Sequence, residues 1–123
     1  MHPINVVIAT TDSKTASQLA DSLNRHFRSI AVARSLEEVR YAIPKHRAQV
    51  AIVDLELANM QEVHNLCSEF GQTHVVCTHR IPDEEMWAEA LTAGAIDCCQ
   101  NADIAGILDA VKRNVLLARS NAA

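Results

Sequence analysis

The chain has 123 residues, of which 49% are hydrophobic and 21% are charged. This composition suits one soluble globular domain over residues 1–123 and excludes an intrinsically disordered chain. The formal net charge of −4, without any cluster of Lys and Arg, argues against a nucleic-acid-binding surface.

The sequence also gives no membrane or secretion signal. No apolar run approaches the ~20 residues that a membrane-spanning helix needs. The first residues lack the charged and long apolar segments of a signal peptide, so we expect a cytoplasmic protein with no membrane partner. The 4 Cys are then expected to be reduced and buried as small hydrophobic side chains, because no C-x-x-C spacing supports a zinc site.

The first strand is predicted at residues 4–9, a largely apolar and β-branched run. An amphipathic helix follows, with Asp12 or Ser13 as its N-cap. A second strand is predicted at residues 30–33. The buried positions of the helix are predicted to be Ala16, Leu19, Ala20, Leu23 and Phe27.

The second helix is predicted to begin at Ser35, because Ser35 and Glu38 form a capping-box pattern. It is predicted to stop at Pro44, which has no backbone N–H to donate. Residues 49–54 predict the third strand, because four consecutive apolar residues, 50–53, lead directly into Asp54, which is typical of a strand buried on both faces of a parallel sheet. Asp54 is either a functional carboxylate at the carboxyl end of that strand or a residue that merely opens the next loop.

A third helix is predicted to end at Gly71 as its C-cap. Residues 74–78 predict a fourth strand that ends in Thr78, and residues 82–85 open a fourth helix that Gly94 closes. The buried positions of the third helix are predicted to be Val63, Leu66, Cys67 and Phe70. Those of the fourth helix are predicted to be Met86, Ala90 and Leu91.

Residues 95–99 predict a fifth strand, in which Cys98 and Cys99 point to opposite faces. Asp103 is the predicted cap of the last helix, and Arg119 is among the cations near its C-terminus. About five strands thus alternate with about five helices. The predicted fold class is α/β, a doubly wound five-stranded parallel sheet with strand order 2-1-3-4-5 and helices on both faces.

In that order the ends of the first, third and fourth strands are neighbours, and they carry Thr10-Thr11, Asp54 and Thr78. Together with Gly94-Ala95 before the fifth strand, this pattern resembles the receiver domain of bacterial two-component response regulators, a flavodoxin-like fold. The resemblance covers essentially the whole chain. It implies that Asp54 is the phosphoacceptor for a histidine kinase and that Thr78 is the switch hydroxyl.

The resemblance also shows what this chain lacks. In that family an acidic pair ends the first strand and binds Mg²⁺, and a Lys that ends the fifth strand contacts the phosphoryl oxygens. An aromatic residue on the fifth strand senses the switch hydroxyl. The degenerate positions are Thr10 and Thr11 for the acidic pair, Asn101 for the Lys and Cys98 for the aromatic residue.

Mg²⁺ strongly prefers carboxylate and water oxygens, and two neutral hydroxyls replace two anions here. The ligands that remain are Asp54, the backbone carbonyl of Glu56 and, if it swings inward, Asp12. We therefore expect Mg²⁺ to bind weakly and no other cofactor to be used. Without metal or Lys, the charge on a transferring phosphoryl group is poorly stabilised.

Three functions remain open. The first is a stand-alone receiver-like domain with an incomplete phosphorylation site, which acts through protein–protein contacts. The second is a conventional Mg²⁺-dependent phosphoacceptor in which Asp12 becomes a metal ligand. The third, a small enzyme using the same cleft, is disfavoured because the sequence shows no base–nucleophile pair.

The resemblance also bears on association. Receiver domains commonly pair through the fourth and fifth helices and the strand between them. Trp87 and the last helix offer an apolar patch for such a homodimer. The alternative to the homodimer is a monomer in solution. For Trp87 itself, packing in the core is the alternative to an exposed contact.

Overall fold

Five strands form the centre of the molecule and alternate with helices along the chain in a computed structural model that describes residues 2–116. The strands are β1 His2–Ala9, β2 Phe27–Ala33, β3 Val50–Asp54, β4 His74–His79 and β5 Asp97–Gln100. The helices are α1 Ser13–Leu23, α2 Leu36–His46, α3 Met60–Glu69, α4 Glu84–Ala93 and α5 Ile104–Val111, followed by a π-helical turn at Lys112–Leu116. The predicted position of Arg119 lies outside the described residues.

The sheet has the order β2-β1-β3-β4-β5, and each pair of neighbouring strands is parallel. This arrangement confirms the predicted doubly wound α/β fold. All five residues of β3 are buried, as expected of a central strand between two helical layers. None of the described helices has both the length and the apolar character needed to cross a bilayer.

Two cores lie on the two faces of the sheet. One is covered by α2, α3 and α4, and the other by α1 and α5. Successive side chains of a strand point to opposite faces of the sheet, so that Val53 packs in the first core and Ile52 in the second. Cys98 and Cys99 follow the same rule and point to opposite faces, as predicted. The cysteines are free thiols, and all but the partly buried Cys67 are buried.

Each helix begins at a side chain that accepts a hydrogen bond from a backbone amide in its first turn. These caps are Asp12, Ser35, Asn59, Asp83 and Asp103. Asp12, rather than Ser13, is therefore the cap of α1. Because the caps depend on local sequence, most helix starts agree with the sequence prediction.

The first two helix ends differ from the prediction. The first helix ends at Leu23, and Phe27 is the buried first residue of β2 instead of the last position of the helical stripe. An aromatic side chain suits a half-buried strand, so Phe27 begins β2 although its spacing also fits the helical stripe. Pro44 does not stop α2, which continues to His46 and closes on Arg47 in the left-handed conformation. A proline in the last turn removes a single amide donor, which the helix tolerates.

The third and fourth helices also differ from the prediction. Phe70, with φ −121°, is the C-cap of α3, so the assignment of that cap to Gly71 is wrong. In α4, Leu91 is 36% exposed, although helical spacing had placed it inward. Gly94 does close α4, at φ 113°, a conformation that L-residues with a Cβ rarely adopt.

Candidate functional site

Asp54 lies at the carboxyl end of β3, and only 4% of its surface is exposed. Its Oδ2 accepts a hydrogen bond from the Thr10 hydroxyl at 3.0 Å. Its Oδ1 accepts one from the backbone N–H of Glu56 at 2.9 Å. The carboxylate is thus held by one donor on each oxygen. Its backbone carbonyl also opens the following turn by accepting from Leu57 and Ala58, so the two alternatives for Asp54 are not exclusive.

Thr10, Asp54 and Thr78 form a polar cluster at this edge of the sheet. Within residues 4–115 they are the only polar or charged side chains that are buried. Thr78 is in register with Asp54 across the β3–β4 pair, and its carbonyl accepts from the Leu55 N–H at 2.9 Å. Since burial of polar groups is costly without partners, their concentration here marks the candidate site.

Thr11 and Asp12 do not join the cluster. Thr11 is exposed, and its carbonyl lies 3.5 Å from Arg34 Nη2. The Asp12 carboxylate accepts from the Lys14 N–H at 3.1 Å and the Thr15 hydroxyl at 2.7 Å. These two hydrogen bonds lower the pKa of Asp12, and the bond from Thr15 has the larger effect. Asp12 is therefore engaged as the cap of α1 rather than turned towards Asp54.

Glu56 connects the site to Arg80, which sequence reasoning missed. While its N–H holds Asp54, its Oε1 lies 2.8 Å from Arg80 Nε and 2.5 Å from Arg80 Nη2. The hydrogen bond with Glu56, followed by smaller contributions from nearby carboxylates including Asp54, raises the pKa of Arg80. One signal could have found it. In residues 48–111, Arg80 is the only Lys or Arg among eleven Asp and Glu.

The remaining degenerate positions lie on β5 or just after it. The Asn101 N–H donates to the His79 carbonyl at 3.0 Å, while its Oδ1 is buried and has no hydrogen-bond partner among the described residues. Cys98 is in register with Cys77 in the core under α3 and α4. A small buried thiol therefore stands where the resemblance places an aromatic sensor.

No protein-family model matches the sequence, and no curated protein matches it either. Solved structures do match. A response regulator from Thermotoga maritima superposes with a TM-score of 0.80 at 17% identity, covering 91% of this chain and 97% of that one. A response regulator from Burkholderia pseudomallei, solved with a phosphorylated aspartic acid, calcium ion and citrate, superposes with a TM-score of 0.78 at 19% identity. This match covers 98% of this chain and 73% of that one. An orphan response regulator of H. pylori superposes with a TM-score of 0.74 at 18% identity, covering 88% of this chain and 96% of that one.

This chain has the fold of a response regulator receiver domain. The three matches cover 91%, 98% and 88% of this chain. Identities below 20% leave the chemistry of the site to be argued from the residues themselves.

A divalent ion is possible for this fold, since the Burkholderia structure holds calcium. The residues described here do not fit a tightly held one. Within the described part of the chain, no three His, Cys, Asp or Glu side chains are arranged to hold a metal. Of the three expected ligands, Asp54 is bonded to Thr10, Asp12 caps α1, and only the backbone carbonyl of Glu56 is not engaged by these contacts. The Glu56 carboxylate, which was not among the expected ligands, pairs with Arg80. The prediction of weak Mg²⁺ binding therefore stands as a prediction.

Proposed function

We propose that this chain is a receiver-like signalling module of bacterial two-component systems whose Asp54 cleft is an incomplete phosphorylation site. It acts through protein–protein contacts and not as an enzyme. The observation that carries the proposal is the hydrogen bond from the neutral Thr10 hydroxyl to Asp54 Oδ2 at 3.0 Å. A hydroxyl at that position supports a resting carboxylate without metal.

Phosphoryl transfer to a carboxylate needs a free nucleophilic oxygen and positive charge near the transferring group. Both oxygens of Asp54 already accept a hydrogen bond, which lowers the nucleophilicity of each oxygen. Asn101 offers a neutral amide where a Lys would offer charge. Each feature raises the barrier to phosphorylation, and neither disturbs the fold.

The partners that fit this proposal are a histidine kinase or another signalling protein, and a second copy of the chain. The surface of α4 and the loop before it carries exposed apolar side chains, Ile81 at 79%, Trp87 at 47% and Leu91 at 36%. Trp87 Nε1 donates to Asp97 Oδ1 at 3.0 Å, which fixes the indole against β5. A rigid, half-exposed tryptophan on this face suits a protein contact.

A second candidate is a conventional phosphoacceptor. It is favoured by the register that places Asp54 beside Thr78 at the carboxyl ends of neighbouring strands. In that case Asp12 would leave its cap and join Asp54 and Glu56 around Mg²⁺.

The test is phosphorylation by acetyl phosphate with ample Mg²⁺, followed by intact-mass measurement. We expect the unmodified chain to be labelled slowly or not at all. Asp54→Asn, which removes the nucleophile, identifies any label that depends on Asp54. Rapid labelling that Asp54→Asn abolishes, together with tight Mg²⁺ binding, would overturn the incomplete-site proposal in favour of the second candidate.

A further inference from the structure

The ion pair between Arg80 and Glu56 lies beside the Asp54 cleft, in a part of the chain otherwise without cations. Residues 48–111 contain eleven acidic residues, Asp or Glu, but only one basic residue of the Lys or Arg type, which is Arg80. It follows Thr78 by two residues, at the edge of the sheet where the polar cluster lies. Arg80 is therefore the cation that the loops after β3 and β4 supply to this edge of the sheet, whereas Arg34 lies on the β1 side, 3.5 Å from the Thr11 carbonyl.

The contacts fix Arg80 relative to Asp54. The Glu56 backbone N–H binds Asp54 Oδ1 at 2.9 Å, and the side chain of the same residue binds Arg80 Nε at 2.8 Å. On the other side, the Arg80 carbonyl accepts from Gln100 Nε2 at 3.2 Å. The loop after β4 is thus tied both to the loop after β3 and to the end of β5.

A guanidinium in this position competes with a metal ion. Divalent ions such as Mg²⁺ need anionic oxygens, and Glu56 Oε1 is in contact with two nitrogens of Arg80. The charges of Asp54 and Asp12 also contribute to the raised pKa of Arg80, so the guanidinium is within electrostatic reach of both. Its positive charge further opposes a second cation among these carboxylates.

We propose that the Arg80 guanidinium is the resident cation of the Asp54 cleft and that, by holding the Glu56 carboxylate, it weakens the binding of divalent metal ions there. The inference rests on the proposed function, because it treats the Asp54 cleft as the functional site. It adds that a side chain, Arg80, supplies positive charge at this cleft in place of a dissociable metal ion. The charge of the cleft then depends less on the metal concentration.

The test is a Mn²⁺ titration of the ¹⁵N-labelled chain, which follows paramagnetic broadening of backbone amides. We expect Arg80→Gln to bind Mn²⁺ at least about tenfold more tightly than the unmodified chain, with broadening centred on residues 54–56. Adding Glu56→Gln or Asp54→Asn to that variant should remove the gain. Because Arg80 is largely exposed, we expect Arg80→Gln to fold. The spectrum of the variant before Mn²⁺ is added, compared with that of the unmodified chain, checks this.

Arg40→Gln is the matched control. Arg40 forms a similar surface pair with Glu69, with its Nε 3.0 Å from Oε2, and its loss changes the net charge by the same amount. We expect Arg40→Gln to leave Mn²⁺ binding unchanged. An equal gain in both variants, or no gain in Arg80→Gln, would overturn the inference. Since no phosphodonor is involved, these outcomes are separate from the acetyl phosphate result that tests the proposed function.

Discussion

Thr10 and Asp54, which are 44 positions apart in the chain, are joined by a hydrogen bond from the Thr10 hydroxyl to Oδ2 at the ends of neighbouring strands. The same hydroxyl accepts from the Asp12 N–H at 3.2 Å. One neutral side chain therefore links the carboxylate to the first residues of the loop before α1. In a receiver-like site an acid at this position would face Asp54 and require a cation between them.

Replacing Thr10 with Val tests this link. Val matches the shape of Thr but removes both hydrogen bonds, and Asp54 is left buried with a weaker set of donors. We expect a loss of about 1–3 kcal/mol in the free energy of unfolding, measured by urea denaturation. Thr11→Val, at an exposed position, should change it by less than about 0.5 kcal/mol. Equal effects at the two positions would contradict the assigned role of Thr10.

Restoring the missing charges should restore phosphorylation. The variant is Thr10→Asp, Thr11→Asp and Asn101→Lys together, which supplies anionic oxygens for the metal and a cation for the phosphoryl group. We expect acetyl phosphate with Mg²⁺ to label it faster than the unmodified chain by at least about tenfold.

Asp54→Asn in the triple variant is the control for that experiment. It should abolish labelling, because it removes the nucleophile. If neither the triple variant nor the unmodified chain is labelled, Asp54 has a structural role, and the cleft serves only as a protein-contact surface.

The C-cap of α4 depends on glycine. Gly94 has φ 113°, and a Cβ there would lie 2.9 Å from Cys67 Cβ. We expect Gly94→Ala to lower the free energy of unfolding by about 1–3 kcal/mol, through backbone strain and overlap with α3. Gly71→Ala is the control, since a Cβ at Gly71 meets nothing within 4 Å. Thermal unfolding should show Gly71→Ala unchanged or stabilised by less than about 1 kcal/mol.

Self-association through the α4 face is the fourth prediction. Trp87 is 47% exposed and fixed by its bond to Asp97, so we expect it to contribute to a homodimer that sedimentation detects at high concentration. Trp87→Ala should weaken the dimer by at least about tenfold. Tyr41→Ala, at an exposed aromatic residue on α2, should not. Sedimentation that shows only monomer for the unmodified chain would decide for the alternative.

The sequence by itself determined the order and type of the elements. The apolar run that ends in Asp54 is β3, with all of its residues buried, because hydrophobicity in consecutive positions is the local requirement for a central strand. The helix starts at Asp12, Ser35 and Asp103 also follow from local chemistry, since a cap bonds to an amide two or three residues away. The parallel sheet then follows from the alternation of strands and helices.

Only the tertiary structure decided how the site is assembled. Sequence spacing could not tell that Thr10, rather than Thr11, would reach Asp54, because this depends on which face of the sheet each side chain meets. The pairing of Glu56 with Arg80 spans 24 positions and joins two loops that no local pattern connects. Such contacts form only after the strands have brought distant loops to one edge of the sheet, and they fix the chemistry of the site.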